Sequence, residues 1–359
     1  MTNLDALWMD RVVVKTVTEL GNRFKANRIT EYMPFIQPEM EKGVRFILLF
    51  LRESLLFGKP EIFFDNVAWF RQNHLNQSLP PFVLEETLGL LKAIITEEGS
   101  TSFWRRANPI MDEALEHMAE GMPVRETYLD QPGVDMAGCG RYLDALLSFD
   151  PEGAREVVRT MLQEGPDARK VYSRLIQPVL YETGRLWHTG TISVAQEHYV
   201  TEATRSIMAS ILPSAGHAPE SGRTFVGLCV ENEQHSVGIQ IVCDLFAFGG
   251  WQSHYLGSNV PCPGILDLLT RKKVDIIGIS VAMPYNIHKA AEVIECIRSL
   301  SGIRQPGILV GGVAFNEYPD LWMKVGADGY TRTAEEAFEM GTRLAASQPD
   351  AVRRAHEET

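Results

Sequence analysis

The chain has 359 residues, 45% of them apolar and 22% charged, which leaves room for two or three domains with ordinary cores. Its net charge is −12 with no basic block, and this argues against a duplex-DNA reader that works through a broad phosphate-facing patch. The five cysteines (Cys139, Cys229, Cys243, Cys262 and Cys296) are scattered and contain no Cys-x-x-Cys pair, which speaks against a disulfide framework or structural zinc site and suits a reducing cytoplasm.

The start, Met1 to Asp5, carries no basic stretch followed by an apolar run, so no secretion signal is expected. Residues 1–125 read as an all-helical module. Apolar positions recur at helical spacing through Leu7–Leu20, Val44–Leu56 and Val83–Ile95, with breaks at Gly58-Lys59-Pro60 and Ser78-Leu79-Pro80-Pro81. The window Phe46–Phe57 is interrupted by Arg52 and Glu53 and is too short to span a bilayer, so it reads as a core helix. Residues 1–120 hold 13 Lys and Arg against 17 Asp and Glu, unlike a basic DNA-binding domain. Phe63, Phe64, Trp69, Phe70, Phe82, Phe103 and Trp104, with Arg71, His74, Arg105 and Arg106 near them in sequence, could line a pocket for a large planar anion; they also read as core aromatics with solvated arginines.

A polar, Gly-containing stretch around Gln131-Pro132-Gly133 reads as a linker. Residues 136–215 then show four helical patterns, broken at Asp150-Pro151, Gly165-Pro166 and Gly190, as in a four-helix bundle. From residue 222 to 345 buried strands alternate with helices. The strand candidates are Phe225–Val230, Gln252–Leu256, Ile276–Ser280 and Gly307–Val310; the helical ones are Ile239–Phe248, Gly264–Lys272, Lys289–Ser299 and Glu317–Val325. That alternation predicts a parallel, Rossmann-like (flavodoxin-like) sheet covered on both faces, with ligands beyond the C-terminal strand ends. His235, Ser280 and Gly311-Gly312 all follow strand ends and should therefore converge on one edge.

Glu233-Gln234-His235-Ser236-Val237-Gly238 lies at the first strand-to-helix turn. An imidazole there suits a metal or a metal-bearing cofactor, with Glu233 able to hold the far ring nitrogen; a surface histidine beside a glutamate fits the same letters. The C-terminal half as a whole resembles the cobalamin-binding domain of methionine synthase and of cobalamin-dependent light sensors. That family carries Asp/Glu-x-His-x-x-Gly, a Ser at the next ligand-facing strand end and then Gly-Gly, matched here by Glu233, His235 and Gly238, by Ser280 (followed by Val281), and by Gly311 and Gly312. Residues 255–261, with Tyr255 and Gly257, and residues 326–330, with Tyr330, also look like family segments, as Ser236 does beside the histidine. The resemblance covers residues 136–345 and implies that His235 is the lower cobalt ligand, with Glu233 bonded behind it and the nucleotide tail threaded into the sheet past the Gly-Gly. The first acid is Glu instead of the commoner Asp, and Ala282 replaces a larger aliphatic residue.

Trp187 is followed, after nine residues, by Glu197-His198. This is similar to the upper-face signature of adenosylcobalamin photoreceptors, the light-released transcriptional repressors, in which the Trp covers the adenosyl group and the Glu-His pair borders it. His188 matches the position that can take the upper cobalt site after photolysis. On the residues alone, Trp187 and His198 also fit a bundle core. The repressors' basic winged-helix reader has no counterpart here, and the layout looks instead like the photocobilin group, which pairs cobalamin with a bilin such as biliverdin. The resemblance implies a light sensor with adenosylcobalamin as cofactor, no enzymatic module, no nucleic-acid or membrane partner, and output through light-dependent homo-oligomerisation. Two other readings stand beside it: a corrinoid methyl carrier of a methyltransferase system, and a light-independent cobalamin-responsive adaptor.

Overall fold

The computed structural model describes residues 3–26, 33–76, 82–98, 102–117, 126–165, 167–211 and 218–347. The predicted break at Ser78–Pro81, the side chain of His74, and Pro166 lie outside the described residues. The chain divides into two compact units, one of residues 1–125 with His188–Thr191, the other of residues 126–187 with 192–359.

The first unit is helical, as its spacing predicts: α1 (Asn3–Ala26), α2 (Met33–Phe57), α3 (Glu61–Asn76), α4 (Phe82–Glu98), α5 (Ser102–Arg105) and α6 (Ala107–His117). Gly58 closes α2 with a φ of +61°, the left-handed conformation a helix C-terminus favours. Phe63, Phe70 and Trp104 are buried, so these three aromatics are core; Trp104 packs on Trp8 with centroids 4.4 Å apart. Arg105 and Arg106 are exposed, and Arg106 donates to the Leu55 carbonyl at 3.1 Å.

The second unit begins with a strap. Glu182, buried on the helix above it, accepts hydrogen bonds from the Tyr128 amide at 2.8 Å and the Thr127 hydroxyl at 3.1 Å, and pairs with Arg185 at 2.6 Å. Four helical stretches follow. They are α7 (Met136–Leu147), α8 (Pro151–Glu164), a long helix made of α9 (Ala168–Val171), a π turn (Tyr172–Ile176) and α10 (Gln177–His188), and α11 (Val194–Ile211). Their starts follow from capping chemistry. Asp135 and Asp150 each accept from an amide three residues on, at 3.0 and 2.9 Å, and Pro151 sits where its missing N–H costs nothing.

Five strands complete the unit: β1 (Thr224–Cys229), β2 (Gln252–Tyr255), β3 (Ile276–Ser280), β4 (Gly307–Gly311) and β5 (Gly329–Tyr330). All pairings are parallel and the order is β2-β1-β3-β4-β5. β1 and β3 are buried along their whole length, as interior parallel strands must be. The helices are α12 (Val237–Phe248), α13 (Cys262–Arg271), α14 (Ile287–Ser299), α15 (Val313–Glu317), α16 (Leu321–Lys324) and α17 (Ala334–Ser347). The expected single helix over 317–325 is instead α15, a gap and α16. Pro319 forces the residue before it out of the helical region, and Tyr318 adopts φ −123°, ψ 67°.

One core cluster joins α7–α11 to the outer face of α12 through Val237, Ile241, Leu245 and Phe248, while the other face of α12 packs on the sheet through Ile239, Cys243 and Phe246. A helix apolar on both faces belongs between two layers. At this junction the Tyr172 hydroxyl donates to the Asp244 carboxylate at 2.7 Å. Burial pushes the Asp244 carboxyl up to about 6 despite that bond.

Candidate cofactor site

The strand order reverses between β1 and β3, and the crevice outside their C-terminal ends is where open α/β sheets bind ligands. Glu233 and His235 leave β1 at that crevice. Glu233 is fully buried, and burial alone would favour its protonated form. Five donors reverse this: the His235 ring Nδ1 at 2.6 Å, the His235 amide at 3.1 Å, the amides of Ala282 and Met283 at 3.0 and 2.9 Å, and the Asn286 side chain at 3.3 Å. Its carboxyl is held below the ordinary range. The bond from Glu233 raises His235 in turn.

With Nδ1 committed to Glu233, the imidazole leaves Nε2 for another partner, and the His235 side chain is 62% exposed. The loop is held further by Asn259, whose side-chain oxygen accepts from the Asn232 amide at 2.8 Å and whose own amide donates to the Glu233 carbonyl at 3.0 Å. No group of three metal-binding side chains occurs among the described residues. A lone, aimed imidazole fits a metal that arrives already chelated better than a bare ion, which needs several protein donors.

The other strand ends form the rest of the edge. Ser280 and Val281 are buried at the end of β3. Gly312, at the end of β4, has φ +100°, and a side chain there would meet the Val281 carbonyl at 2.4 Å, so only glycine fits. Tyr255 ends β2 and Gly257 follows it, its carbonyl accepting from the Cys229 amide of β1 at 3.0 Å. The Tyr330 hydroxyl donates to Asn316 at 2.9 Å. Gly238 stands exposed in the first turn of α12.

On the helical side, Trp187 near the end of α10 is 39% exposed. Glu197 and His198 open α11, with the Glu197 carboxylate 2.5 Å from His198 Nδ1 and accepting from Thr201 at 3.0 Å. The Glu197 carboxylate also acts on His235, more weakly than Glu233, in the direction that raises its pKa. His188 falls with the first unit, its ring stacked on Trp69 at 5.6 Å and 17°; burial lowers its pKa and keeps it neutral. Sequence reasoning missed Asn286 and Arg205, and took in Asn259 only as part of the segment 255–261. No short motif marks Asn286, but Glu197, Thr201 and Arg205 follow one another at four-residue spacing on one stripe of α11, a pattern readable in advance.

Comparison with known proteins gives the same outline. Residues 139–212 and 223–340 each match a family described as a B12 binding domain. An HTH-type transcriptional repressor, CarH of Myxococcus xanthus, is 26% identical over 174 residues, 48% of this chain; the chain spans 56% of that repressor's length. Dimethylamine corrinoid protein 3 of Methanosarcina acetivorans is 27% identical over 206 residues, covering 56% of this chain and 93% of that protein. Among solved structures, the monomethylamine corrinoid protein of Methanosarcina barkeri superposes with a TM-score of 0.52 at 16% identity, over 59% of this chain and all of the other, a likeness of fold. Together these matches support a cobalamin-binding protein.

Proposed function

We propose that this chain is a light sensor that binds adenosylcobalamin in the crevice beyond β1 and β3, with His235 as the lower cobalt ligand. The observation that carries the reading is the imidazole fixed through Nδ1 by a buried carboxylate with Nε2 presented outward. Glu233 keeps His235 in the ligating tautomer and supports the charge it gathers on coordination. Gly312 allows the cofactor's tail to approach the backbone, and Ser280 offers it a hydroxyl. Trp187 covers the opposite side, bordered by Glu197 and His198, and shields it from water. The cofactor supplies a cobalt–carbon bond that visible light breaks. By the resemblance His188, a neutral imidazole stacked on Trp69, would be the residue to take the opposite side once that bond is broken. The helices that share a core with α12 then repack, and self-association changes. A bilin in the first unit would extend the response to red light.

Reconstitution with adenosylcobalamin in the dark should give a coloured complex, and green light should change both its spectrum and its size in gel filtration. His235→Ala should take up far less pigment. Unaltered spectra and size after illumination would remove the sensor from this reading. Added biliverdin should bring a red-absorbing band if the first unit holds a bilin.

A second reading, a corrinoid methyl carrier, is favoured by the extent of the match to the corrinoid proteins, up to 96% of their length. A carrier needs an open upper face, which a tryptophan cover would obstruct. Tighter retention of methyl- than of adenosylcobalamin would favour the carrier.

A further inference from the structure

Arg205, two turns after Glu197 on α11, is absorbed by none of the roles above, yet its guanidinium reaches across to three elements of the sheet domain. It donates to the Ser236 hydroxyl at 2.8 Å, to the Tyr255 hydroxyl at 3.1 Å and to the Gln240 side chain at 3.5 Å, and its Nε lies 3.4 Å from Glu202 on its own helix.

The Ser236 contact is the informative one. Ser236 directly follows His235 and occupies the N-cap of α12, where a serine hydroxyl normally accepts from an amide of the first turn. Here it makes no capping bond. Its side chain is committed to Arg205 instead, in a buried position where a charge-assisted bond is at its strongest. The helix therefore forgoes its own cap in favour of a link between α11 and the residue beside the cobalt-facing imidazole. His235 is thus fixed on two sides, by Glu233 through its ring and by Arg205 through the adjacent backbone.

We propose that Arg205 is a positioning residue: it sets the His235 loop for cobalt and ties that loop to the helix carrying Glu197 and His198. The inference rests on the cobalamin reading. It also supplies a route between the two faces, since a shift of α11 pulls on Ser236 through one short bond.

The test compares the wild type with Arg205→Met, which keeps the apolar stem and removes the donors, with Ser236→Ala, with the double variant, and with Arg205→Lys. Hydroxocobalamin is titrated into each, and nitrogen hyperfine splitting is read by electron paramagnetic resonance after reduction to cobalt(II). Arg205→Met should bind about tenfold more weakly, the order of one charge-assisted hydrogen bond, and part of its cobalt should lack the nitrogen splitting. Ser236→Ala should show the same pair of changes, the double variant no more than either, and Arg205→Lys a partial recovery.

Wild-type affinity and full splitting in Arg205→Met overturn the proposal, as do losses that simply add in the double variant. Thermal unfolding without corrinoid identifies a folding defect; if Arg205→Met has one, Ser236→Ala decides, because it removes the same bond from the other side. If the wild type takes up no hydroxocobalamin, the cobalamin reading falls and this inference with it. A wild type that binds through His235 beside unaffected variants refutes the inference alone.

Discussion

Two glutamate–histidine pairs occur in the second unit, and their chemistry is the same while their surroundings are not. Glu233 meets His235 at 2.6 Å from a fully buried position with four further donors, whereas Glu197 meets His198 at 2.5 Å with a histidine side chain that is 73% exposed. The first pair is preorganised. Its carboxylate cannot leave without stranding backbone amides of the loop after β3, so the imidazole it holds has one orientation. In the second pair the carboxylate is 26% exposed and also holds Thr201, but its histidine stands in water, where such a contact contributes at most about 1 kcal/mol. Rigidity belongs to the first imidazole and exposure to the second.

Substitution separates the two pairs most sharply. Glu233→Ala should cost on the order of 3 kcal/mol in urea unfolding, because it leaves buried amides without an acceptor. Glu197→Ala should stay within about 0.5 kcal/mol. Equal costs would break the comparison. Gly312→Ala, on the rigid side, should lose about 2 kcal/mol, since φ of +100° and the Val281 carbonyl both oppose a side chain.

Asp244 lies at the joint between helices and sheet and gives a pH signature. Its carboxyl is raised from 3.8 to about 6, so the folded state holds the proton more tightly than the unfolded one. Stability should fall as pH rises from about 4 to about 6 and stay lowered above that. Asp244→Asn, which keeps an acceptor for Tyr172, should therefore gain about 2 kcal/mol at pH 8 and almost nothing near pH 4, as read by denaturant titration at the two pH values. Trp187→Ala should erase any preference for adenosyl- over methylcobalamin in a binding competition.

Much of this arrangement was legible beforehand, for identifiable reasons. Continuous apolar runs such as Ile276–Ser280 can only be interior strands, and they fell where the spacing put them. Glu233 and His235 are two residues apart, so local geometry alone could bring carboxylate and ring together. β5 escaped notice because two residues carry no periodicity, and the helix near 317–325 was drawn through Pro319 because its apolar spacing outweighed one proline. The donors behind Glu233 from Ala282, Met283 and Asn286 lie about fifty residues on, and such a meeting follows from sheet order, not from any local pattern. The aromatics of the first unit leave two readings open in the sequence, and Phe63, Phe70 and Trp104 fall to the core one, because composition does not distinguish a ring that fills a core from one that lines a cavity.

The π turn at Tyr172–Ile176 has a consequence for the far end of its helix. A widened turn accommodates one residue more than the α-helical count, and each residue of an α-helix advances the azimuth by about 100°. The additional residue is thus absorbed within the turn, and the side chains downstream, up to Trp187, keep their bearing. A one-residue deletion within Tyr172–Ile176 would close the turn to the α-helical count and leave the indole near its present bearing, whereas the same deletion between Gln177 and Arg185 would swing it about a quarter-turn away.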